Sequence, residues 1–165
     1  KQRSILSKTR MKQEVNNYEG KIQWLEEIIK ANLQSNEKSL VHGDYYFNNV
    51  LVDDSYQVSA ILDLSQHLIV GDPRMDIAGA IAFLGINSNV TTKHYNFLYV
   101  LAEKQFGKDI NKYINIYTLY YSLYYCHLYR TDLLSHEWVV RNLNNEKLWF
   151  KLRAKKVLTE YMTPS

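Results

Sequence analysis

Three oxygen-bearing side chains stand where a chain changes its texture. In HGDYYFNNVLVDD, residues 42–54, Asp44 follows a His-Gly pair and Asn49 comes five residues later. Asp63 closes the apolar run VSAILD, residues 58–63. Two carboxylates and an amide oxygen are hard ligands, and they suit magnesium, which takes few protein ligands and keeps water or phosphate for the rest. Magnesium between carboxylate and phosphate implies phosphoryl transfer or phosphate hydrolysis. A carboxylate outside the metal shell can orient a hydroxyl or a water. The bland alternative is that Asp and Asn near strand ends cap turns through their side chains. His42 has the same two readings, as a base or ligand and as a tie for its own loop. Gly43 lets the backbone turn tightly beside it.

The elements that must position these residues follow from periodicity. Over 23–33, Trp24, Leu25, Ile28, Ile29 and Leu33 fall on one helical face. Residues 34–38 break that pattern as a loop. Ser39-Leu40-Val41 leads into the His-Gly-Asp turn. Val50-Leu51-Val52 and the run 58–64 flank the polar Asp53-Asp54-Ser55 and predict a small hairpin. Asp72-Pro73 predicts a helix start, with Asp72 as cap and Pro73 at the first helical position. The small apolar stretch 77–84 then reads as a buried helix. A helix over 94–106 has Leu98 and Leu101 inward, and Gly107-Lys108-Asp109 breaks it. Another, over 114–128, carries Ile116, Leu119, Leu123 and Cys126 on one face. A last long helix is expected over 136–157. The 14 tyrosines fit core and rim better than a platform for stacking bases.

Bulk composition narrows the class. The 165 residues, 46% of them apolar, suffice for a globular core. Twenty basic and 17 acidic side chains leave a net charge of +3, too balanced to argue for nucleic acid. The single cysteine, Cys126, allows no internal disulfide and no cysteine-based zinc site. It fits a cytoplasmic setting. No apolar run is long enough to suggest a membrane partner.

The blocks HGDYYFNNVLV, ILD and GDPRMDIA occur in the order of a known pattern. They resemble the aminoglycoside phosphotransferase and choline kinase-like branch of the protein-kinase-like superfamily. The resemblance implies a mainly α fold with a small β-hairpin insert, the C-terminal lobe of a kinase-like protein. It implies a lead-in or linker over 1–22 and the lobe over 23–165. Within that lobe it places the catalytic loop at 41–51, the metal-binding strand end at 60–64 and a helical substrate subdomain at 90–160. Asp44 is then the catalytic aspartate, which accepts a hydrogen bond from the substrate hydroxyl. Asn49 and Asp63 hold Mg2+ and through it ATP. His42, Gly43, Asp72 and Asp76 are supporting residues, with Asp76 bracing the catalytic loop from the following helix. Helices after the Gly-Asp-Pro block would line the acceptor pocket, where Asp132, His136 and Glu137 are candidates. A capping or solvated-loop role competes for those three.

The chain departs from the pattern at Tyr45, Tyr46 and Phe47, where relatives carry Leu, His and Pro. It departs again at Leu64, Ser65 and Gln66, where an aromatic and an acid are common. Residues 1–22 do not read as an ATP-covering N-terminal lobe, and no Walker-type loop is legible in the sequence. The expected function is therefore the catalytic lobe of a kinase for a hydroxyl of a small molecule, such as an aminoglycoside, amino alcohol or sugar. The N-terminal lobe is expected in the full-length protein, and this chain alone is expected to be inactive. The rival readings are a non-catalytic remnant binding nucleotide or a partner, and a metal-dependent phosphoesterase. The latter normally needs several histidine ligands, and no such cluster is legible here.

Overall fold

Short runs of β-branched residues bounded by turn formers make strands only when a second run lies within reach. Here two such pairs form. The computed structural model describes residues 10–32, 38–64, 68–127 and 133–152, and these are mainly helical. Helix α1 spans Tyr18–Asn32. Strand β1 is Ser39–Val41, β2 is Val50–Val52, β3 is Val58–Ile61 and β4 is Ile69–Gly71. Helices α2 (Arg74–Phe83), α3 (Thr92–Phe106), α4 (Ile110–His127) and α5 (Leu133–Leu143) follow.

The chain divides into two compact units, one of Lys1–Ile29 with Leu119–Ser165 and one of Lys30–Thr118. The second contains all four strands. β2 and β3 form the hairpin anticipated from the sequence, antiparallel, with Val50 opposite Ile61 and Leu51 opposite Ala60. Asp53 makes its turn: one carboxylate oxygen accepts from the backbone of Ser55 (2.8 Å) and Gln57 (2.9 Å). β3 ends at Ile61 rather than Leu64, because Asp63 turns into the left-handed region (φ 58°). The other pair is β1 with β4, in register Ser39–Gly71, Leu40–Val70 and Val41–Ile69. Nothing local announces β4, since three residues carry too little periodicity to read.

The core of this unit lies on the helical side. Val41, Ala78, Ile81, Phe83, Ile114 and Ile116 are buried. On α3 the buried residue is Ala102, whereas Leu101 is 44% exposed. The small side chain is buried and the larger one stays largely outside, opposite to the expectation for Leu101. Gly107 ends α3 with its N–H on the carbonyl of Glu103 (2.8 Å), at φ 78° and ψ 169°, an extended positive-φ conformation essentially confined to glycine.

In the other unit, α1 begins at Tyr18, earlier than the predicted start at 23. Its buried face includes Lys21, whose Nζ lies 5.6 Å from the centre of the Trp149 ring and meets Glu146 at 2.9 Å. A lysine used as apolar surface hides from a hydropathy pattern. Trp138 and Trp149 are buried, as anticipated, and Trp149 tilts against Trp24 at 5.0 Å. Tyr18, Tyr121 and Tyr125 are buried with them, in keeping with core and rim tyrosines. The last helix is not continuous. It stops at Leu143 and resumes over 146–152. Asn144 spends its amide on backbone, donating to the carbonyl of Glu14 (2.7 Å) and accepting from Asn16 N–H (3.0 Å). Asn145 caps the new turn at Leu148 N–H (3.2 Å). The expected continuation over 153–157 lies outside the described residues. Among the described residues, no helix is long and apolar enough to cross a membrane.

Candidate active site

The pairing of β1 with β4 sets up the site. β1 delivers the chain into His42, and β4 delivers it into Asp72 and the first turn of α2. Residues more than thirty positions apart in sequence therefore meet. Asp76, in the first turn of α2, accepts two backbone hydrogen bonds: His42 N–H on Oδ2 at 2.8 Å and Gly43 N–H on Oδ1 at 2.9 Å. A carboxylate that takes two backbone donors holds a loop more firmly than a neutral cap does. Gly43 adopts φ 77°, a conformation that strongly favours glycine.

The buried His42 ring adds a second tie. Its Nε2 lies 2.8 Å from the carbonyl of Leu62, and Asp44 N–H reaches its Nδ1 at 3.3 Å. A carbonyl only accepts and an N–H only donates, so a proton on Nε2 and a lone pair on Nδ1 satisfy both partners. In this arrangement both ring nitrogens are occupied by backbone partners. The same ring meets Tyr45 edge-on at 6.0 Å.

Asn49 ends the one-turn 3-10 helix Phe47–Asn49. Its Nδ2 donates to the carbonyl of Asp44 (2.9 Å), and its own carbonyl accepts from Leu62 N–H (2.8 Å). The amide orientation leaves Oδ1 as the group available to a ligand. One residue past Leu62 stands Asp63, exposed and at positive φ. A non-glycine residue in that region is uncommon and costs backbone energy, so its persistence marks a place where the surroundings impose it. Neither hydrogen bond nor ion pair holds the Asp63 carboxylate among the described residues. Asp44, Asn49 and Asp63 are thus tied through backbone contacts of one short network, with His42 and Leu62 as its links. No group of three or more His, Cys, Asp or Glu side chains placed to hold a metal occurs among the described residues. An Asn–Asp pair fits an ion that keeps most of its shell for phosphate and water.

Asp72 faces a different set of partners. Both its oxygens take the Arg74 guanidinium at 2.7 Å, Oδ1 also accepts Arg74 N–H at 3.0 Å, and Tyr117 Oη donates to Oδ2 at 3.2 Å. Pro73 already has helical dihedrals (φ −60°, ψ −22°) ahead of Arg74. Arg74 stacks over the Tyr113 ring at 3.5 Å. The Asp72 carboxylate, with both its hydrogen bonds and its charge, raises the guanidinium pKa further above its ordinary value. Arg74, Tyr113 and Tyr117 escaped the sequence reading. The arginine inside GDPRMD was a legible signal, but the tyrosines become partners only when α4 is placed.

Tyr46 and Phe47, two of the unusual residues, pack on one another at 4.1 Å, and Tyr46 meets Phe83 edge-on at 5.9 Å. The candidate pocket residues fare differently. His136 lies in the other unit, with Nε2 at 2.6 Å from Glu14 Oε2. Arg10 and then His136 hold the Glu14 carboxyl below its ordinary range, against some desolvation. Glu137 is exposed, and Asp132 lies outside the described residues.

A family of this kind of site is now identifiable by comparison. The model of the phosphotransferase enzyme family matches residues 2–96, more than half of the chain. The protein belongs to that family. No curated protein and no solved structure matches the chain.

Proposed function

We propose that the protein is the catalytic lobe of a kinase that transfers the terminal phosphoryl group of ATP to a hydroxyl of a small molecule. The observation that carries the reading is the network from Asp76 through His42 to Leu62 and Asn49. It ties the loop bearing Asp44 to the strand end bearing Asp63. Asp44 is the catalytic residue. It accepts a hydrogen bond from the acceptor hydroxyl, orients it for in-line attack and takes its proton late, so placement matters more than basicity. The bond formed joins the acceptor oxygen to phosphorus, and the bond broken joins phosphorus to the bridging oxygen of ADP.

Asn49 Oδ1 and the Asp63 carboxylate would hold magnesium, which when bound offsets phosphate charge and orients the transferred group. His42 and Asp76 act as positioning residues, since their polar atoms are committed to backbone. Asp72 supports the start of α2. The acceptor class is an aminoglycoside-like molecule, an amino alcohol or a sugar, and the setting is the cytoplasm. Asp132, His136 and Glu137 remain candidates for acceptor contacts. An ATP-covering lobe in the full-length protein would complete the nucleotide site, and 1–22 would link to it.

The test uses the native gene product with magnesium, ATP and a panel of amino alcohols, sugars and aminocyclitols, read by phosphorus NMR. Transfer to one class, lost in Asp44→Asn with magnesium-dependent nucleotide binding retained, is the expected result. Nucleotide binding with no transfer to any acceptor would favour a non-catalytic kinase-like remnant. Magnesium-dependent release of phosphate from monoesters, without transfer, would favour the phosphoesterase.

A further inference from the structure

Beside the loop that bears Asp44, α2 and α3 flank a half-open cavity of about 450 Å³, within the roughly 300–1,000 Å³ usual for small-ligand sites. Its walls are Tyr45, Ile77, Ile81, Leu98 and Phe106, almost wholly apolar, with aromatic rings from Tyr45 and Phe106. The polar residues on its lining are Lys104, which is exposed to solvent, and Gln105. No carboxylate lines it. Lys104 makes no ion pair among the described residues.

Water gains little in such a cavity. An apolar ring body filling it would remove apolar surface from water on both sides, the main source of affinity available. The charge asymmetry then selects among amphiphiles. A cation would meet Lys104 with no acid to offset it, whereas a carboxylate finds the ammonium and the Gln105 amide as donors. We propose that this cavity is a second ligand site, for a small aromatic carboxylate of about bicyclic size, separate from the magnesium-nucleotide centre. Its occupant lies against Tyr45, the residue that follows Asp44, so occupancy reports on the catalytic loop. The inference does not rest on the phosphotransferase reading.

The full chain is titrated with 2-naphthoate and followed by proton–nitrogen NMR. Its isosteres 2-naphthylmethylammonium and 2-naphthalenemethanol serve as cationic and neutral probes. The expected result is saturable shifts in the amides of residues 77–81 and 98–106, with the anion bound up to about fivefold more tightly than the cation. That ratio is the upper range for one exposed charge pair. Ala80→Trp, which fills the cavity, should remove the shifts with the helical circular dichroism unchanged. Lys104→Glu, at an exposed position, should reverse the order of anion and cation and so decides the matter even if Ala80→Trp does not fold. Absence of saturable shifts in the folded wild type, or an unchanged preference in Lys104→Glu, overturns the proposal.

Discussion

The strands around Asp44 and the helices around Trp138 are held by different physics. Near Trp138, apolar side chains disappear from solvent: Leu119, Leu143, Trp149 and Tyr121 are each buried. Around Asp44 the reverse holds. Leu40 is 67% exposed, Val52 56%, Val58 60% and Val70 71%, so apart from the buried Val41 hydrophobic burial contributes little to these strands. They persist because polar groups converge: Asp76 on two N–H groups, His42 on a carbonyl, Asn49 on another. A packed core tolerates small polar losses and suffers from cavities, whereas a hydrogen-bonded loop does the opposite. The division also makes functional sense. Directional bonds set the position of Asp44 and Asn49, as the proposed transfer would need, and burial does not.

Mutations can sharpen or break this contrast. The largest effect is expected from Asp44→Asn, which should lower phosphoryl transfer by about 10²–10⁴-fold while leaving the thermal midpoint nearly unchanged. A matching loss of stability would mean that Asp44 belongs to the scaffold. Leu143→Ala in the helical region should cost about 2–5 kcal/mol in urea denaturation. A cost below about 1 kcal/mol would show that this region relaxes around a void.

Asp76→Ala leaves the His42 and Gly43 N–H groups without their acceptor, at about 1–3 kcal/mol for each unsatisfied buried donor. Its signature should be local. Amide exchange at His42 and Gly43 should accelerate more than exchange on the face of α4 around Leu119. Uniform acceleration along the chain would erase the distinction between loop and core.

Val52→Thr and Val58→Thr, at exposed hairpin positions, should change stability by no more than about 0.5 kcal/mol. A larger loss would indicate that something covers this face in solution. The smallest effect concerns pH. The carboxyl of Glu14 is held below its ordinary value of 4.5, first by Arg10. Its folded pKa is thus depressed, so its contribution is present above about that value and fades as pH falls through the lower folded pKa. Partial exposure limits it to about 0.2–1 kcal/mol. Denaturation of Glu14→Gln from neutral to acid pH should converge with wild type at the acid end. Parallel curves would remove this pair from the acid response.

Part of the candidate site was legible because residue types at close spacing are a local signal. Asp44, Asn49, Asp63, Asp72 and Asp76 stand out in the sequence as candidates, and the β2–β3 hairpin and the helix after Pro73 are found where periodicity put them. The misreadings share a cause. β4 is three residues long, Lys21 serves as apolar surface, and Asn144 turns from helix former to backbone partner, each through contacts with distant chain. Leu101 looks inward by its periodicity but is 44% exposed, while its neighbour Ala102 is buried.

By itself the sequence determined the chemistry available, oxygen ligands and a candidate base in the order His42, Asp44, Asn49, Asp63, Asp76, since side-chain chemistry is a local property. Only the tertiary structure decided how these groups are committed. Asp76 comes to His42 and Gly43, Tyr113 comes to Arg74 and Tyr117 comes to Asp72, through pairings across some thirty to forty-five residues. Such pairings depend on which strand finds which partner and where a helix is placed. No short window of residues contains that information.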